Sequence, residues 1–496
     1  MYKKCFDAEK YTKLQSEKIR ERIAQFGGKL YLEFGGKLFD DYHASRVLPG
    51  FAPDSKVKML VEMKDEAEIV IAINAADIEK SKVRGDLSIT YEQDVLRLID
   101  AFREIGLYVG SVVLTRFDGQ KSAEAFQNRL EALGMKTYRH YPIAGYPANL
   151  PLIVSDDGYG KNEYIETERR LVVVTAPGPG SGKMAVCLSN MYHDHKHGIA
   201  SGYAKFETFP IWNLPLGHPV NMAYEAATAD LSDVNMIDPY HMEAYGVSTV
   251  NYNRDVEIFP VVSAILKLVS GGECPYQSPT DMGVNMAGYC LIDDEGAQEA
   301  AKDEIIRRYY KALCDKRKGT SDGTDATKIE IIMNKAGISV SDRPVIAAAQ
   351  KKAEESSTPA VAWELPNGEI VTGRTSSLLG AASACLLNAV KALAGIPDRI
   401  PLISPEIITP IQSLKVGLMG NHNPRLHTDE VLIALAVSAL TNPTAKHAVD
   451  HLAALRGSEV HSTVILSQVD ENVLKKLGCH LTCDPVYQSK KLYHKS

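Results

Sequence analysis

The 496-residue sequence has no apolar run long enough to cross a membrane. Its most apolar helical stretch, residues 378–396, is interrupted by polar side chains and falls short of the ~20 apolar residues that a bilayer span needs. The first seven residues carry charges with no apolar core behind them, so no secretory signal peptide is predicted. The eight cysteines include no Cys-x-x-Cys pair, which indicates reduced thiols. These absences predict a soluble cytoplasmic protein.

Other absences exclude particular classes of function. The net charge of -7 argues against a broad nucleic-acid surface, because phosphate contacts need clustered lysine and arginine. There is no Gly-x-Ser-x-Gly elbow, so a serine hydrolase of that type is not expected. The segment 479–483 lacks the Cys-x-x-Cys hook of a zinc deaminase. We therefore expect a small-molecule ligand, and neither nucleic acid nor a membrane as a partner.

What is present is the composition of an ordinary globular protein, with 45% apolar and 24% charged residues. A chain of this length predicts two to four domains. Strand and helix patterns alternate in the first third, which predicts parallel-sheet, three-layer α/β architecture. The polar segment 318–325 is a predicted boundary. The predicted divisions are an N-terminal α/β region at 1–165, a P-loop-like nucleotide-binding region at 166–320 and a C-terminal α/β domain at 326–496.

A hydrophobic strand at 171–175 runs into a glycine-rich turn and then into a helix that ends near Gly198. Glycines let successive backbone N–H groups point at one anion, and the new helix adds its unpaired N–H groups and the positive end of its dipole. A lysine at the end of such a loop reaches the terminal phosphates. The predicted nucleotide-binding residues are Pro177, Gly178, Gly180, Ser181, Gly182 and Lys183.

The loop departs from the consensus G-x-x-x-x-G-K-[ST] at two positions. Pro177 stands where the first glycine belongs, and Met184 stands where a hydroxyl would hold Mg²⁺. The segment 179–183 resembles the loop of adenylate-kinase-like phosphotransferases, which offer a hydroxyl one position later, where this sequence has Ala185. ATP and Mg²⁺ are therefore possible cofactors, with Ser181, Asp238 or water as metal ligands. This departure from the consensus weakens the prediction of ATP hydrolysis more than it weakens the prediction of phosphate binding.

Two alternatives use the same residues. Residues 180–185 also satisfy G-x-G-x-x-[GA], the dinucleotide fingerprint, and Glu207 follows a predicted strand where a ribose-binding acid is expected. That pattern predicts an NAD(P)-binding oxidoreductase. The other alternative is a plain Gly-Pro turn with an exposed lysine.

Lys183, Asp238 and Arg254 are the candidate catalytic residues. Asp238 ends a weakly apolar run, where a P-loop protein carries its magnesium carboxylate, although an Asp-Pro turn has the same sequence. Arg254 is followed directly by Asp255. Its guanidinium is expected either to clamp a substrate phosphate through two hydrogen bonds or to form a structural ion pair.

Two further segments follow predicted strands. Residues 34–37 (Phe-Gly-Gly-Lys) favour a tight hairpin turn. Thr115 and Arg116 end a buried strand, at the edge of a parallel sheet where ligands bind.

Five segments, at 176–185, 206–210, 251–260, 278–294 and 420–430, are similar to a bacterial family known as domain of unknown function 1846. The resemblance covers essentially the whole chain. It implies an α/β N-terminal region, a helical insertion and a separate C-terminal α/β domain, and it implies no established activity. Members are sometimes labelled ATP-dependent, which points to the same loop.

The leading hypothesis is a nucleotide-dependent enzyme, a phosphoryl-transferase or an ATP-using ligase, acting on a phosphorylated or anionic small molecule. A second hypothesis is the NAD(P) oxidoreductase. A third is a non-enzymatic sensor that binds a phosphorylated metabolite and reports it through its oligomeric state. We expect a homo-oligomer.

Overall fold

The computed structural model of the chain describes residues 3–36, 38–39, 41–84, 87 and 89–489. It divides into an N-terminal unit, Lys4–Glu225 with Asp233–Ala300, and a C-terminal unit, Ala226–Ser232 with the chain from Ala301 onward. The predicted multidomain α/β class is confirmed, with a large parallel sheet in the first unit and a smaller mixed sheet in the second. The predicted boundaries near 165 and 320 remain predictions.

The N-terminal unit contains eleven strands in the described residues: β1 Leu30–Phe34, β2 Ala67–Asn74, β3 Val83–Arg84, β4 Ile89–Thr90, β5 Tyr108–Thr115, β6 Lys136–Arg139, β7 Leu171–Thr175, β8 Gly202–Phe206, β9 Asn235–Ile237, β10 Val250–Tyr252 and β11 Gly283–Val284. The helices that begin in it are α1 Ala8–Gln25, α2 Tyr42–Val47, α3 Ser55–Glu62, α4 Ala75–Glu79, α5 Tyr91–Glu104, α6 Lys121–Ala132, α7 Leu150–Ile153, α8 Lys183–Lys196, α9 Pro219–Ala227, α10 Pro239–Tyr245, α11 Asn253–Ser270, α12 Pro279–Met282 and α13 Asp294–Lys318.

Seven of these strands form one parallel sheet in the order β11-β8-β1-β7-β2-β5-β6. All eight residues of β2 and all five of β7 are buried, as expected for parallel strands covered on both faces. Apolar side chains of α8 and α11 pack with those of β7 and β2 in one core cluster. The chain leaves β1 for β2 on one side of the sheet and leaves β7 for β8 on the other. The strand order therefore reverses between β1 and β7.

The hairpin turn favoured for residues 34–37 is wrong. Strand β1 pairs in parallel with β7 on one edge and with β8 on the other, so no edge is left for an antiparallel partner. The glycines that follow β1 instead end a central strand, and Gly35 lies against the backbone carbonyl of Phe206. Lys37 lies outside the described residues.

The C-terminal unit is built from α14 Thr324–Ala336, α15 Pro344–Ser356, β12 Ala360–Glu364, β13 Ile370–Arg374, α16 Ala381–Leu393, α17 Pro405–Ser413, α18 Thr428–Ser438, α19 Pro443–Asp450, β14 Glu459–Ser462, α20 Gln468–Lys476 and β15 His480–Cys483. Its sheet runs β13-β12-β14-β15. Strand β12 is antiparallel to both of its neighbours, and β14 is parallel to β15. The unit closes with β14, α20 and β15.

A buried arginine ties the edge of this sheet to the loop before α15. Arg343 is 1% exposed, and its guanidinium donates to the carboxylate of Glu459 and to the carbonyl oxygen of His480. Arg307 of α13 donates to the other oxygen of the same carboxylate. The two guanidinium groups hold the pKa of Glu459 below its usual value even though burial opposes them. A charge buried this fully is tolerated only because it is paired.

Within the described stretches of the chain, none of the helices combines the length and the apolar character that a bilayer crossing requires.

Candidate functional site

The reversal of strand order fixes where a ligand would meet the N-terminal unit. In open parallel sheets, ligands bind beyond the carboxyl ends of the strands at such a reversal. Here the two strands that flank it are β1, followed by Gly35 and Gly36, and β7, followed by residues 176–182. The loop singled out from the sequence therefore lies at the position that the topology selects. We call residues 177–183 the glycine loop.

Left-handed and other backbone conformations alternate along the glycine loop. Gly180 has φ of 76° and Gly182 has φ of 83°, both left-handed, and Ser181 between them is not left-handed. This alternation turns successive N–H groups to the same side, which is the backbone geometry of known anion-binding concavities. Helix α8 starts directly at Lys183, so its first N–H groups continue the set.

Seven amides between residues 178 and 185, where Pro179 has no N–H group, have no partner inside the protein as described. They are the N–H groups of Gly178, Gly180, Ser181, Gly182, Lys183, Met184 and Ala185. Val186 is the first residue of α8 whose amide bonds back, to the carbonyl oxygen of Gly182. The first N–H groups of any helix are unpaired, and here the unpaired donors extend back through the glycine loop to Gly178.

The carbonyl oxygens of the glycine loop are held from behind. The Thr115 hydroxyl, at the end of β5, donates to the Ser181 carbonyl at 2.7 Å. The Asn74 amide, at the end of β2, reaches the Gly180 carbonyl at 3.5 Å. The Ser181 hydroxyl donates to the Gly178 carbonyl at 2.7 Å, and its side chain is fully buried. Three side chains therefore hold the carbonyl oxygens of the loop, while its N–H groups remain without a partner.

Close packing explains two of the glycines. A Cβ on Gly178 would lie 2.2 Å from the Tyr91 hydroxyl oxygen, and a Cβ on Gly182 would lie 3.3 Å from Thr115. Gly180 has no atom within 4 Å of such a position. Gly178 is thus required by contact with α5, whereas Gly180 is required by its backbone conformation alone.

Two cations lie at this edge without a described ion pair. Lys183 is half-buried, and its charge acts on the buried thiol of Cys187 one turn further along α8. Arg116 follows β5 in a left-handed conformation with φ of 51°, which is rare for a side chain of this size. Burial raises the pKa of the Tyr146 hydroxyl, and the Arg116 charge opposes that rise. Free cations beside free amides make the site electropositive.

A cluster of buried ionisable groups lies at the carboxyl end of β8. The Lys205 ammonium contacts the carboxylates of Asp255 and Glu207 and the hydroxyl of Tyr252, and its distance to Glu207 Oε1 is 3.0 Å. Burial raises the pKa of Glu207 to about 8; Lys205 opposes this, and the nearby Asp255 charge adds to it. Glu33 of β1 acts electrostatically on both Lys205 and Cys187. Burial therefore outweighs the Lys205 charge and moves the pKa of Glu207 upward.

Asp238 caps a helix. Its side chain is fully buried; one oxygen accepts the amides of Tyr240 and His241 at the start of α10, and the other accepts from the amide and hydroxyl of Thr280. It follows β9, which pairs with β10 in a separate two-stranded sheet and not with the parallel sheet of the glycine loop. The geometry therefore gives the magnesium role no support, and that role stays a prediction.

Arg254 pairs with an acid that the sequence analysis did not name. Its guanidinium binds both oxygens of Asp233, at 2.5 and 2.6 Å, and its side chain is 52% exposed. Neighbouring Asp255 instead belongs to the Lys205 cluster. Of the two alternatives open for Arg254, the structure shows an ion pair. A clamp role would require a substrate to displace Asp233.

A bound metal ion would need a grouping of ligating side chains among the described residues. In the portion of the chain described, no three histidine, cysteine, aspartate or glutamate side chains group so as to hold a metal ion. All eight cysteines are free and buried.

The structure brings together the loop residues and Lys183 but not Asp238 or Arg254, whose bonds run elsewhere. Sequence reasoning missed Asn74, Tyr91 and Lys205. Asn74 follows a buried apolar run, as Thr115 does, and the same signal would have found it. Tyr91 and Lys205 gave no local signal.

Comparison with known proteins decides the family. The family model described as "Domain of unknown function DUF1846, N-terminal" matches residues 4–337, and its C-terminal counterpart matches residues 341–493. The chain belongs to the DUF1846 family. The UPF0371 protein str1377 of Streptococcus thermophilus strain CNRZ 1066 is 59% identical over 495 residues, covering 100% of both chains. The UPF0371 protein spr0309 of Streptococcus pneumoniae strain ATCC BAA-255 / R6 is 58% identical over the same length. The predicted resemblance to DUF1846 is thereby confirmed.

Proposed function

We propose that this DUF1846 protein is an enzyme that binds the phosphate groups of a nucleotide on the glycine loop. The observation that carries the proposal is the hydrogen bonding of that loop. Its carbonyl oxygens accept from Thr115, Asn74 and Ser181, and its amides have no partner. A loop with this arrangement is preorganised for an anion, because binding requires no rearrangement of its backbone.

Charge supports a phosphate over a neutral ligand. The dipole of the 14-residue α8 adds a partial positive charge at its first turn, where Lys183 also lies. The phosphate would accept from the amides of Gly180 to Lys183, and the Lys183 ammonium and the Arg116 guanidinium would neutralise its remaining charge. No step is assigned to a metal.

The buried acid cluster favours an enzyme over a sensor. A carboxyl group whose pKa is raised toward the neutral range, as burial raises that of Glu207, is suited to general acid–base catalysis. Phosphoryl transfer or ATP-dependent ligation is the reaction class we assign. The dinucleotide alternative loses its ribose-binding acid, because Glu207 is engaged with Lys205 and Tyr252.

The test is a thermal-shift and calorimetric panel on the full-length protein with ATP, ADP, NAD and coenzyme A, with and without Mg²⁺. At ~100 times the dissociation constant, a ligand stabilises the folded state by about 2.7 kcal/mol. We expect stabilisation by ATP and ADP, and turnover of ATP once an acceptor is supplied. Stabilisation by NAD alone would contradict the assignment.

Lys183→Ala and Arg116→Ala should each weaken nucleotide binding at least tenfold, because each removes a free cation from the site. Lys13→Ala is the matched control, since Lys13 is an exposed lysine on α1. Lys13 is exposed and Lys183 makes no described ion pair, so the thermal transition without ligand should be unchanged within ~0.5 kcal/mol in both lysine variants. Equal nucleotide affinity in all three variants would refute the proposal.

A further inference from the structure

A cavity of about 60 Å³ lies wholly within the C-terminal unit. A void of this size holds a few water molecules or one small group of atoms. Polar side chains and the start of a helix line it, among them Thr375, Arg425, His427, Asp470 and the first two residues of α16, Ala381 and Ala382. We call it the α16 cavity.

Helix α16 begins at this cavity without a capping side chain. Gly380 stands at its N-cap position, and no side chain bonds to the first turn. The amides of Ala381 and Ala382 have no described partner, although these residues are only 6% and 2% exposed. A helix start that is buried to this extent needs an acceptor in place of bulk water. The positive end of the dipole of this 13-residue helix lies at the same place.

Two side chains in the cavity wall carry donors that no described group accepts. Thr375 is 5% exposed, and its hydroxyl makes no hydrogen bond among the described residues. A buried hydroxyl is normally bonded, so this one is suited to a ligand. The Nε of Arg425 donates to the carbonyl oxygen of Ser376 at 2.7 Å, and none of the described carboxylates pairs with its guanidinium. Its terminal nitrogens therefore remain available.

A histidine–aspartate pair forms another part of the wall. The Nδ1 of His427 lies 2.9 Å from Oδ2 of Asp470, and Oδ1 accepts from the amide and hydroxyl of Thr428. Burial opposes the ionisation of Asp470, but the hydrogen bonds that it accepts, first of all from His427, hold its pKa below the usual value. The same hydrogen bond raises the pKa of His427. An imidazolium held in this way offsets the Asp470 charge and keeps its Nε2–H for another acceptor.

We propose that the α16 cavity binds a terminal phosphate group, carried by a phosphomonoester or present as inorganic phosphate. The amides at the start of α16 and the hydroxyl of Thr375 donate to its oxygens. The guanidinium of Arg425 and the imidazolium of His427 also donate, and they balance its charge. A carboxylate offers about four lone-pair sites, fewer than these donors fill, whereas a phosphate group offers three acceptor oxygens and about two charges. The cavity has room for the phosphate group, so the remainder of an ester lies outside it.

Selective labelling tests the proposal on the full chain. Gly-Ala pairs occur twice in the sequence, so 13C-carbonyl glycine with 15N-alanine selects the amides of Ala297 and Ala381. Ala297 already donates to the carbonyl oxygen of Asp293 and is the internal control. On titration with inorganic phosphate or methyl phosphate, the Ala381 amide should shift downfield and saturate while Ala297 stays in place. Saturation by methyl phosphate identifies an ester ligand, and saturation by inorganic phosphate alone identifies the free ion.

Thr375→Val assigns the binding to this cavity. It removes a hydroxyl that bonds to no described group, so the thermal transition should stay unchanged while phosphate affinity falls about tenfold or more. Thr441→Val is the matched control, since Thr441 is exposed in the same unit and does not line the cavity. It should bind phosphate as the wild type does. An Ala381 amide that neither phosphate moves, an equal response to acetate, or unchanged affinity in Thr375→Val overturns the proposal.

Discussion

Alanine at Gly178 should disrupt the glycine loop by direct overlap with Tyr91. A Cβ there would lie 2.2 Å from the tyrosine oxygen and 2.6 Å from its ring carbon Cζ. Tyr91 is 6% exposed and begins α5, so it has no free space to move into. Gly178 lies outside the left-handed region, so overlap is the only penalty. Overpacking of this kind costs about 1–3 kcal/mol, and we expect the upper end for so short a contact.

Gly180→Ala isolates the other possible cause, backbone strain. Gly180 has φ of 76° and no atom within 4 Å of a Cβ position, so alanine there should cost only the left-handed strain, about 1–2 kcal/mol. Replacing Tyr91 by leucine removes the ring that Gly178→Ala meets. In the Gly178→Ala, Tyr91→Leu double variant, the alanine should therefore cost at least ~1 kcal/mol less than it does alone.

The two tryptophans of the chain allow the N-terminal unit to be followed by itself. Trp363 is buried in the C-terminal unit, and Trp212 lies in the N-terminal unit. In a Trp363→Phe background, urea unfolding followed by fluorescence reports on Trp212 alone. If Gly178→Ala costs no more than Gly180→Ala, or if its cost is the same with Leu at position 91, the packing of the loop against α5 is not as described.

Three further perturbations follow from the contacts. Thr115→Val removes the hydroxyl that fixes the Ser181 carbonyl, so calorimetry should show nucleotide affinity falling several-fold, with a loss of about 1–3 kcal/mol in unfolding free energy; unchanged affinity would separate the carbonyl bonds from binding. Arg343→Ala strands the buried Glu459 charge and should cost about 3–5 kcal/mol in the Trp363 fluorescence transition, against little for an exposed arginine. Glu207 has its pKa raised from 4.5 to about 8, so its contribution to stability is present below pH 4.5 and is lost as pH rises toward 8; Glu207→Gln should flatten that fall in urea titrations across pH, and an equally steep fall in the variant would contradict it.

Local patterns were sufficient for the individual elements nearest the site. The continuous apolar run of β7 and the glycines after it predict the strand, the loop and the start of α8, because each depends on neighbours a few residues away. Helices α5 and α6 likewise depend on side chains a few residues apart, which a local pattern contains.

What the sequence did not predict depends on pairing over long distances. The order of strands in the parallel sheet decides that Gly35 follows a central strand and not a hairpin, and no local pattern encodes that order. Thr115 donates to the carbonyl oxygen of Ser181, which lies 66 residues later in the sequence. Arg254 pairs with Asp233, 21 residues earlier, and not with the adjacent Asp255. Asp238 fits the end of a strand by sequence, but that strand is antiparallel and outside the main sheet. Such long-range partners are not contained in local propensity.

The direct test of the central claim is to observe a loop amide bind an anion. Labelling with 13C-carbonyl serine and 15N-glycine selects the Ser-Gly amides of the chain, which are those of Gly182, Gly202 and Gly271. Gly202 already donates to the Lys29 carbonyl, and Gly271 ends α11, so both are internal controls. On titration with ATP, the Gly182 amide should shift downfield and saturate at the affinity found by calorimetry, while the two controls stay in place. A Gly182 signal that does not move while ATP binds would show that the anion site lies elsewhere.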